Sequence, residues 1–233
     1  MKLALVGYGK MGRMVERLAP EFGCEVALIL DDYNNAAGAG LTQENFTGLD
    51  AAIEFSTPHT AVANLLRLAE LGIPVVCGTT GWYGELERVC AAFEKRGVAL
   101  IYSSNFSIGV NIFRRVVREA ARWMEGHPGY EAWGWEIHHS AKKDAPSGTL
   151  LRLVEDMREA GYDRRIDTSS NRAGAHPGTH EIGFDSAADT LTLRHVARNR
   201  EGFARGALEA VRRLPGLKGV FEFGAILFAE GKE

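Results

Sequence analysis

The run Gly7-Tyr8-Gly9-Lys10-Met11-Gly12 constrains this chain more than any other feature. It follows an apolar segment, Lys2–Val6, that reads as a buried strand, and it opens an amphipathic segment, Lys10–Leu18, that reads as a helix. A strand that turns sharply on glycine and re-enters as a helix begins a strand–helix–strand unit. The first glycine permits the turn, the second lets backbone approach a bound group, and the third allows close helix–strand packing. In that context G-x-G-x-x-G predicts a dinucleotide pyrophosphate on the helix N-terminus, with Tyr8, Lys10 and Met11 beside it. The plain alternative is a tight turn with no ligand.

The same rhythm continues. Glu25–Leu30, Ala51–Phe55, Ile73–Cys77 and Val98–Tyr102 are strand-like. Helical segments alternate with them, from Pro58 to about Leu71 and over Tyr83–Lys95, while Asp31–Gly48 is small, polar and loop-like. This alternation predicts an open parallel sheet with helices on both faces. After Asn105 the rhythm changes. A long helix is expected over Val110–Met124, a strand over Tyr130–His138, a helix over Ser147–Ala160, and loop over Asp163–Gly178. Thr179–Phe184 and Thr190–Val196 read as paired strands, followed by a helix over Phe203–Leu214 and a final strand-like run, Gly224–Phe228. The expected class is α/β: a Rossmann-type parallel-sheet domain plus a smaller α+β domain with a mostly antiparallel sheet. The chain tail is expected to return to the first domain. That assigns 1–106 and 202–233 to dinucleotide binding and 107–201 to substrate binding and oligomerisation.

With 233 residues the chain can bury a real core, and 45% hydrophobic with 24% charged residues is ordinary for a globular protein. A net charge of −3 gives no support for nucleic-acid binding. No apolar run is long enough for a bilayer, and Met1–Gly7 reads as a first strand rather than a signal peptide, so a cytoplasmic protein without a membrane partner is expected. Cys24, Cys77 and Cys90 are odd in number and widely spaced, which suggests small core residues rather than a disulfide framework or a metal site.

Asp31 stands about twenty residues beyond the glycine loop, at the end of the second strand, where a carboxylate can accept hydrogen bonds from ribose hydroxyls. Asp32 adds negative charge where a 2′-phosphate would otherwise sit, and Arg13 partly offsets it. The balance leans towards NADH or dual use over strict NADPH. Gly78-Thr79-Thr80-Gly81 and Ser103-Ser104-Asn105-Phe106-Ser107 follow strand ends, where open α/β sheets bind ligands. Gly78, Thr79, Thr80 and Ser103 can approach a cofactor closely. Ser104 and Asn105 can hydrogen-bond a carboxamide, and Phe106 can pack against a ring.

A different chemistry is written in His138-His139-Ser140-Ala141-Lys142-Lys143-Asp144-Ala145-Pro146-Ser147-Gly148-Thr149. Histidine exchanges protons near neutrality, and lysine can donate a proton or hold an anion. Ser147-Gly148-Thr149 looks like a helix start, whose hydroxyl and N–H groups can hold a carboxylate. Each histidine alone is more often structural, and the turn alone could be a helix cap. Together they indicate chemistry on a small anionic substrate.

The segment resembles the 4-hydroxy-tetrahydrodipicolinate reductase (dihydrodipicolinate reductase) family, which carries H-H-x-x-x-K-x-D-A-P-S-G-T or a close spacing variant. Counting back from Asp144, the family lysine falls on Lys142. Cys77-Gly78-Thr79-Thr80-Gly81, Asn105-Phe106-Ser107-Ile108-Gly109-Val110-Asn111, Pro177-Gly178-Thr179-His180, His195, Asn199-Arg200 and Phe203-Ala204-Arg205-Gly206-Ala207 follow the family pattern in order. The resemblance implies reduction of a cyclic imine diacid with NADH and/or NADPH, in the diaminopimelate route to lysine. It gives His138 an acid/base role and Lys142 a proton-donor role, and it makes His139, Gly148 and Thr149 substrate-binding. It also implies a split dinucleotide domain and a substrate domain that mediates a homotetramer. Which of Lys142 and His138 donates to the ring nitrogen stays open in the sequence.

Three departures lie on the cofactor side. Glu54 replaces the family's usual aspartate, the stretch from Asp31 to Leu49 is short, and the glycine loop lacks a residue found in some members. Another Rossmann-type dehydrogenase acting on an amino-acid imine would share the glycine loop, as would a non-catalytic redox sensor. Neither gives a reason for the His-Lys strip.

Overall fold

The computed structural model describes residues 1–229. The chain divides into two compact units, Met1–Ser107 with Phe203–Glu233, and Ile108–Gly202. The last residues of the first unit, 230–233, lie outside the described residues.

The first unit is built on a six-stranded sheet. Its strands are β1 (Lys2–Val6), β2 (Glu25–Leu30), β3 (Ala51–Glu54), β4 (Val75–Cys77), β5 (Ala99–Tyr102) and β10 (Gly219–Glu222). They run in the order β10-β5-β4-β3-β1-β2, and every pairing is parallel. Nearly continuous apolar runs make such strands, because helices cover both faces and no alternation is needed. Helices α1 (Lys10–Leu18), α2 (Pro58–Glu70) and α3 (Leu86–Arg96) supply that cover, with α6 (Glu201–Arg213) from the far end of the chain. Pro58 occupies the first position of α2, where its missing N–H costs nothing. Gly97 ends α3 at φ 62°, a left-handed cap that suits glycine. The chain leaves β1 for β2 on one side and returns to β3 on the other. This reversal opens a crevice at the carboxyl ends of β1 and β3.

The second unit carries a four-stranded sheet in the order β7-β6-β8-β9. Its strands are β6 (Glu131–His138), β7 (Ile166–Arg172), β8 (Thr179–Asp185) and β9 (Thr190–Val196). Pairs β6–β8 and β8–β9 are antiparallel, and β6–β7 is parallel. Helices α4 (Ile108–Met124) and α5 (Gly148–Glu159) lend Phe113, Val117, Leu150, Leu153 and Met157 to a core shared with Ile182 and Phe184. A partly buried Arg114–Asp156 pair at 2.7 Å joins the two helices.

Two segments differ from the sequence expectation. Ile166–Arg172, expected as loop within Asp163–Gly178, is strand β7. It is an edge strand with mostly exposed side chains, so it has no apolar face to announce it, and its pairing with β6 defines it. The expected terminal strand over Gly224–Phe228 is helical instead, as α7 (Phe223–Leu227), and the strand is the preceding β10. Short apolar runs carry no decisive period. Here Phe223 and Ile226, three apart, bury one face of a single helical turn.

Candidate active site

In the first unit, the glycine loop joins β1 to α1 at the crevice. Gly7 has φ 95°, and a Cβ there would stand 2.3 Å from the Phe55 carbonyl oxygen. A Cβ on Gly12 would stand 2.4 Å from the Gly7 carbonyl oxygen. Both glycines are therefore required by the fold. Gly9 differs: no atom lies within 4 Å of where its Cβ would be. Its open side faces a cleft of about 560 Å³ lined by Tyr8, Arg13, Asp31, Asp32, Ser56 and Asn64, among others. An adjoining cleft of about 390 Å³ shares Gly9, Phe55 and Ser56 and adds Lys10, Met11, Gly78, Thr79 and Thr80. Backbone N–H groups at a helix start, with a bare glycine in front, form a cradle for a pyrophosphate.

The rim is ordered by local bonds. Asp31 Oδ1 accepts from the N–H groups of Tyr33 at 2.9 Å and Asn34 at 3.2 Å, which folds the turn after β2. The Arg13 guanidinium lies 4.6 Å from the Tyr8 ring centroid. Glu54 is fully buried and accepts from the Ser56 hydroxyl, from Asn64 Nδ2 at 3.4 Å and from Cys77 Sγ at 3.3 Å. Burial, and next the neighbouring Glu54, push the Cys77 thiol well up, so it is an inert core group. Ser103 donates to the Asn105 carbonyl at 3.0 Å and to Glu222 at 3.2 Å. Ser104 is exposed. The expectation that the Phe106 ring packs on a cofactor is corrected: that ring is buried against Phe223 at 4.9 Å and Phe55 at 6.5 Å. Phe55 lines both clefts instead.

In the second unit, strand alternation puts Gly134, Glu136 and His138 on the buried face of β6. Register then brings His180 of β8 opposite Glu136, and Arg172 of β7 opposite His138. Glu136 Oε1 accepts from Ser147 N at 2.8 Å, Ser170 Oγ at 2.9 Å and Arg172 Nη2 at 2.9 Å. Its Oε2 lies 3.5 Å from His138 Nδ1 and 3.4 Å from His180 Nε2. Ser147 is the N-cap of α5, with its Oγ accepting from Leu150 N at 3.2 Å and 3.1 Å from His180 Nε2. Gly148 and Thr149 form the first turn of α5, and open space lies where a Gly148 Cβ would be. Lys142 Nζ donates to both Asp144 carboxylate oxygens, at 2.7 and 2.8 Å. His139 is half-buried just beyond the strand end.

The electrostatics follow from this packing. Burial alone would raise the Glu136 carboxyl, but hydrogen bonds from His180, Ser147 and Arg172 outweigh it and hold it well below the usual carboxylate range. Burial, and then the neighbouring His180, lower His138 to about 4, so its imidazole is neutral at pH 7. The Lys142 hydrogen bond holds the Asp144 carboxyl below its ordinary value.

Comparison with known proteins agrees with both halves. A family model for the dihydrodipicolinate reductase N-terminus matches residues 1–106, and one for its C-terminus matches residues 109–227. The chain belongs to the dihydrodipicolinate reductase family. The 4-hydroxy-tetrahydrodipicolinate reductase of Christiangramia forsetii is 34% identical over 97% of this chain and 98% of its own. That of Staphylococcus carnosus is 34% identical over 92% and 94%. Dipicolinate-bound dihydrodipicolinate reductase from a Paenisporosarcina species superposes with a TM-score of 0.81 at 21% identity, over 95% of this chain and 97% of that one. Reductases of this family are oxidoreductases with a Rossmann-type NAD(P)-binding N-terminal domain.

Of the residues singled out in the family's His-Lys strip, the fold gathers His138 and Ser147 around Glu136 and leaves His139 and Lys142 outside that hydrogen-bonded cluster. Sequence reasoning missed Glu136 and Arg172, and it read His180 only as a strand residue within the family pattern. A charged residue at a buried position of an alternating strand was the available signal for Glu136. Arg172 carried no such signal, because β7 itself was not legible.

Proposed function

We propose that this chain reduces 4-hydroxy-tetrahydrodipicolinate, by way of dihydrodipicolinate, to tetrahydrodipicolinate in the diaminopimelate route to lysine. The observation that carries the reading is a neutral buried histidine, a lysine and an open helix start within one short segment of a chain that also holds a complete glycine-loop cleft. The cleft fits NADH or NADPH: fold-required glycines flank one bare glycine at a helix start. When bound, that cofactor supplies the hydride that reaches C4 of the ring. Backbone N–H groups from Gly9 to Gly12 would hold its pyrophosphate, and the Asp31 carboxylate, whose Oδ1 also folds the turn, would meet its ribose.

The substrate side follows from charge. Gly148 and Thr149 offer N–H and hydroxyl groups to one carboxylate, with Ser147, whose own N–H is held by Glu136, capping the helix behind them and His139 as a further substrate-binding group. Loss of the 4-hydroxyl as water leaves a conjugated acid, and reduction at C4 builds negative charge towards the ring nitrogen. Lys142 is the donor that meets this charge after exchanging Asp144 for the substrate, and the proton ends on the ring carbon between C4 and the C=N carbon, which restores the imine of the product. His138 is neutral at working pH and serves as acceptor and acid/base partner. Dipicolinate in the Paenisporosarcina reductase supports a small planar diacid as ligand.

The second unit also carries an assembly face. Trp133 and Trp135 lie half-buried on the side of the sheet away from α4 and α5, consistent with a homotetramer. No helix among the described residues is long and apolar enough to cross a membrane, and the reading places the enzyme in the cytoplasm. A coupled assay tests the reaction. Pyruvate and aspartate semialdehyde are condensed by the preceding synthase, and oxidation of NADH and NADPH is followed. Turnover with at least one coenzyme is expected; none with either would refute the reading.

A further inference from the structure

We infer that Glu136 is a positioning residue that fixes which ring nitrogens of His138 and His180 face it as donors, holding His138 with its proton on Nδ1 and His180 with a proton on Nε2. The inference rests on the reading above for its catalytic consequence, but not for its structural content.

The argument is a count of donors and acceptors. Glu136 is fully buried, and its Oε1 already accepts three bonds, from Ser147 N, Ser170 Oγ and Arg172 Nη2. Its Oε2 and the Nδ1 of His138 are both buried, neither makes a hydrogen bond elsewhere or with the other at full hydrogen-bond distance, and they face each other at 3.5 Å. An ionised carboxylate can only accept, so the proton between them belongs to Nδ1. The same oxygen faces His180 Nε2 at 3.4 Å, and Ser147 Oγ, 3.1 Å from that nitrogen, already accepts from Leu150 N. A proton on His180 Nε2 satisfies both oxygens at once. The rings meet edge to face, with centroids 5.0 Å apart, so the two N–H groups converge on one carboxylate without stacking.

The consequence concerns the other nitrogen of His138. With Nδ1 protonated, Nε2 presents a lone pair. A Cβ on residue 178 would stand 3.0 Å from Nε2, and Gly178 leaves that approach clear. His138 then offers an acceptor at neutral pH, which leaves the donor role to Lys142. The titratable and charged groups around it are Glu136, His180, Lys142 and Arg172, and only Glu136 favours a proton on His138. A buried carboxylate that fixes an imidazole in one tautomer is a known source of large rate effects when removed.

Nitrogen-15 imidazole spectra of the intact protein at pH 7 test this directly. Expected are a His138 signal of the Nδ1–H form and a His180 signal of the Nε2–H form, assigned by His138→Gln and His180→Gln. The reverse pattern for His138, or a charged imidazole at that pH, would overturn it. So would stoichiometric zinc in the purified protein that shifts both signals on chelation, since Glu136, His138 and His180 ligand atoms lie within 4.8 Å of one another. In Glu136→Gln, the His138 signal should lose its Nδ1–H character. That variant's kcat should fall about tenfold or more with its acid pH limb displaced, while KM for NADH stays unchanged. A normal tautomer and pH profile in a folded Glu136→Gln would overturn it. The wild-type spectra decide if that variant does not fold. Wild-type turnover in the coupled assay separates failure here from failure of the proposed reaction.

Discussion

His138 links packing to pH. Its pKa lies at about 4 because burial, and then His180, disfavour the charged ring. In the unfolded chain the same side chain titrates near its ordinary 6.5. Below that value the unfolded state binds a proton that the folded state refuses, so stability is full above pH 6.5 and falls as pH drops towards 4. His195, lowered mainly by its own burial, acts in the same direction. Glu136 adds its own loss only below its ordinary 4.5, because its folded value is depressed. The urea midpoint is therefore expected to fall between pH 7 and pH 5, and His138→Gln should flatten that slope while remaining folded. An equal slope in the variant would assign the effect elsewhere. Lys142 gives a second residue-scale test. Lys142→Ala should lower kcat by about 10²-fold or more while leaving NADH affinity nearly unchanged. Near-wild-type turnover in that variant would remove Lys142 from the chemistry.

At the scale of elements, the glycine loop separates folding from binding. Gly12→Ala places a methyl 2.4 Å from a backbone carbonyl and should destabilise the first unit by about 1–3 kcal/mol. Gly9→Ala meets no protein atom and should leave the thermal midpoint unchanged while weakening NADH binding at least about tenfold. Calorimetry and cofactor titration of the pair check this, and equal loss of stability in both would contradict it. The loop was legible in the sequence because each glycine answers a separate local demand. The parallel strands were legible because burial on both faces leaves long apolar runs. Strand β7 was not, because Asp167, Thr168 and Ser169 are exposed on an edge strand and only the partner strand defines them. For the same reason Arg172 stayed hidden, while His180 was visible as a strand residue but not as a neighbour of Glu136. Contacts made by sheet register leave no mark on local sequence. The Phe106 ring was misjudged because proximity to a strand end says nothing about which way a side chain turns.

At the scale of the molecule, the chain crosses from the first unit to the second and back. Trp133 and Trp135 are half-buried, and in the proposed homotetramer a neighbouring subunit would remove their remaining surface from water. Sedimentation should give a tetramer, and Trp135→Glu should shift it towards smaller species; a monomeric wild type would refute that assignment. The central claim is chemical, however: hydride reaches C4 of a cyclic diacid. Turnover with nicotinamide deuterated at C4 addresses it most directly, with the product read by deuterium NMR. The account predicts one deuterium at C4 of tetrahydrodipicolinate, on a single face. Deuterium at another carbon, or oxidised cofactor with no label in the ring, would contradict it.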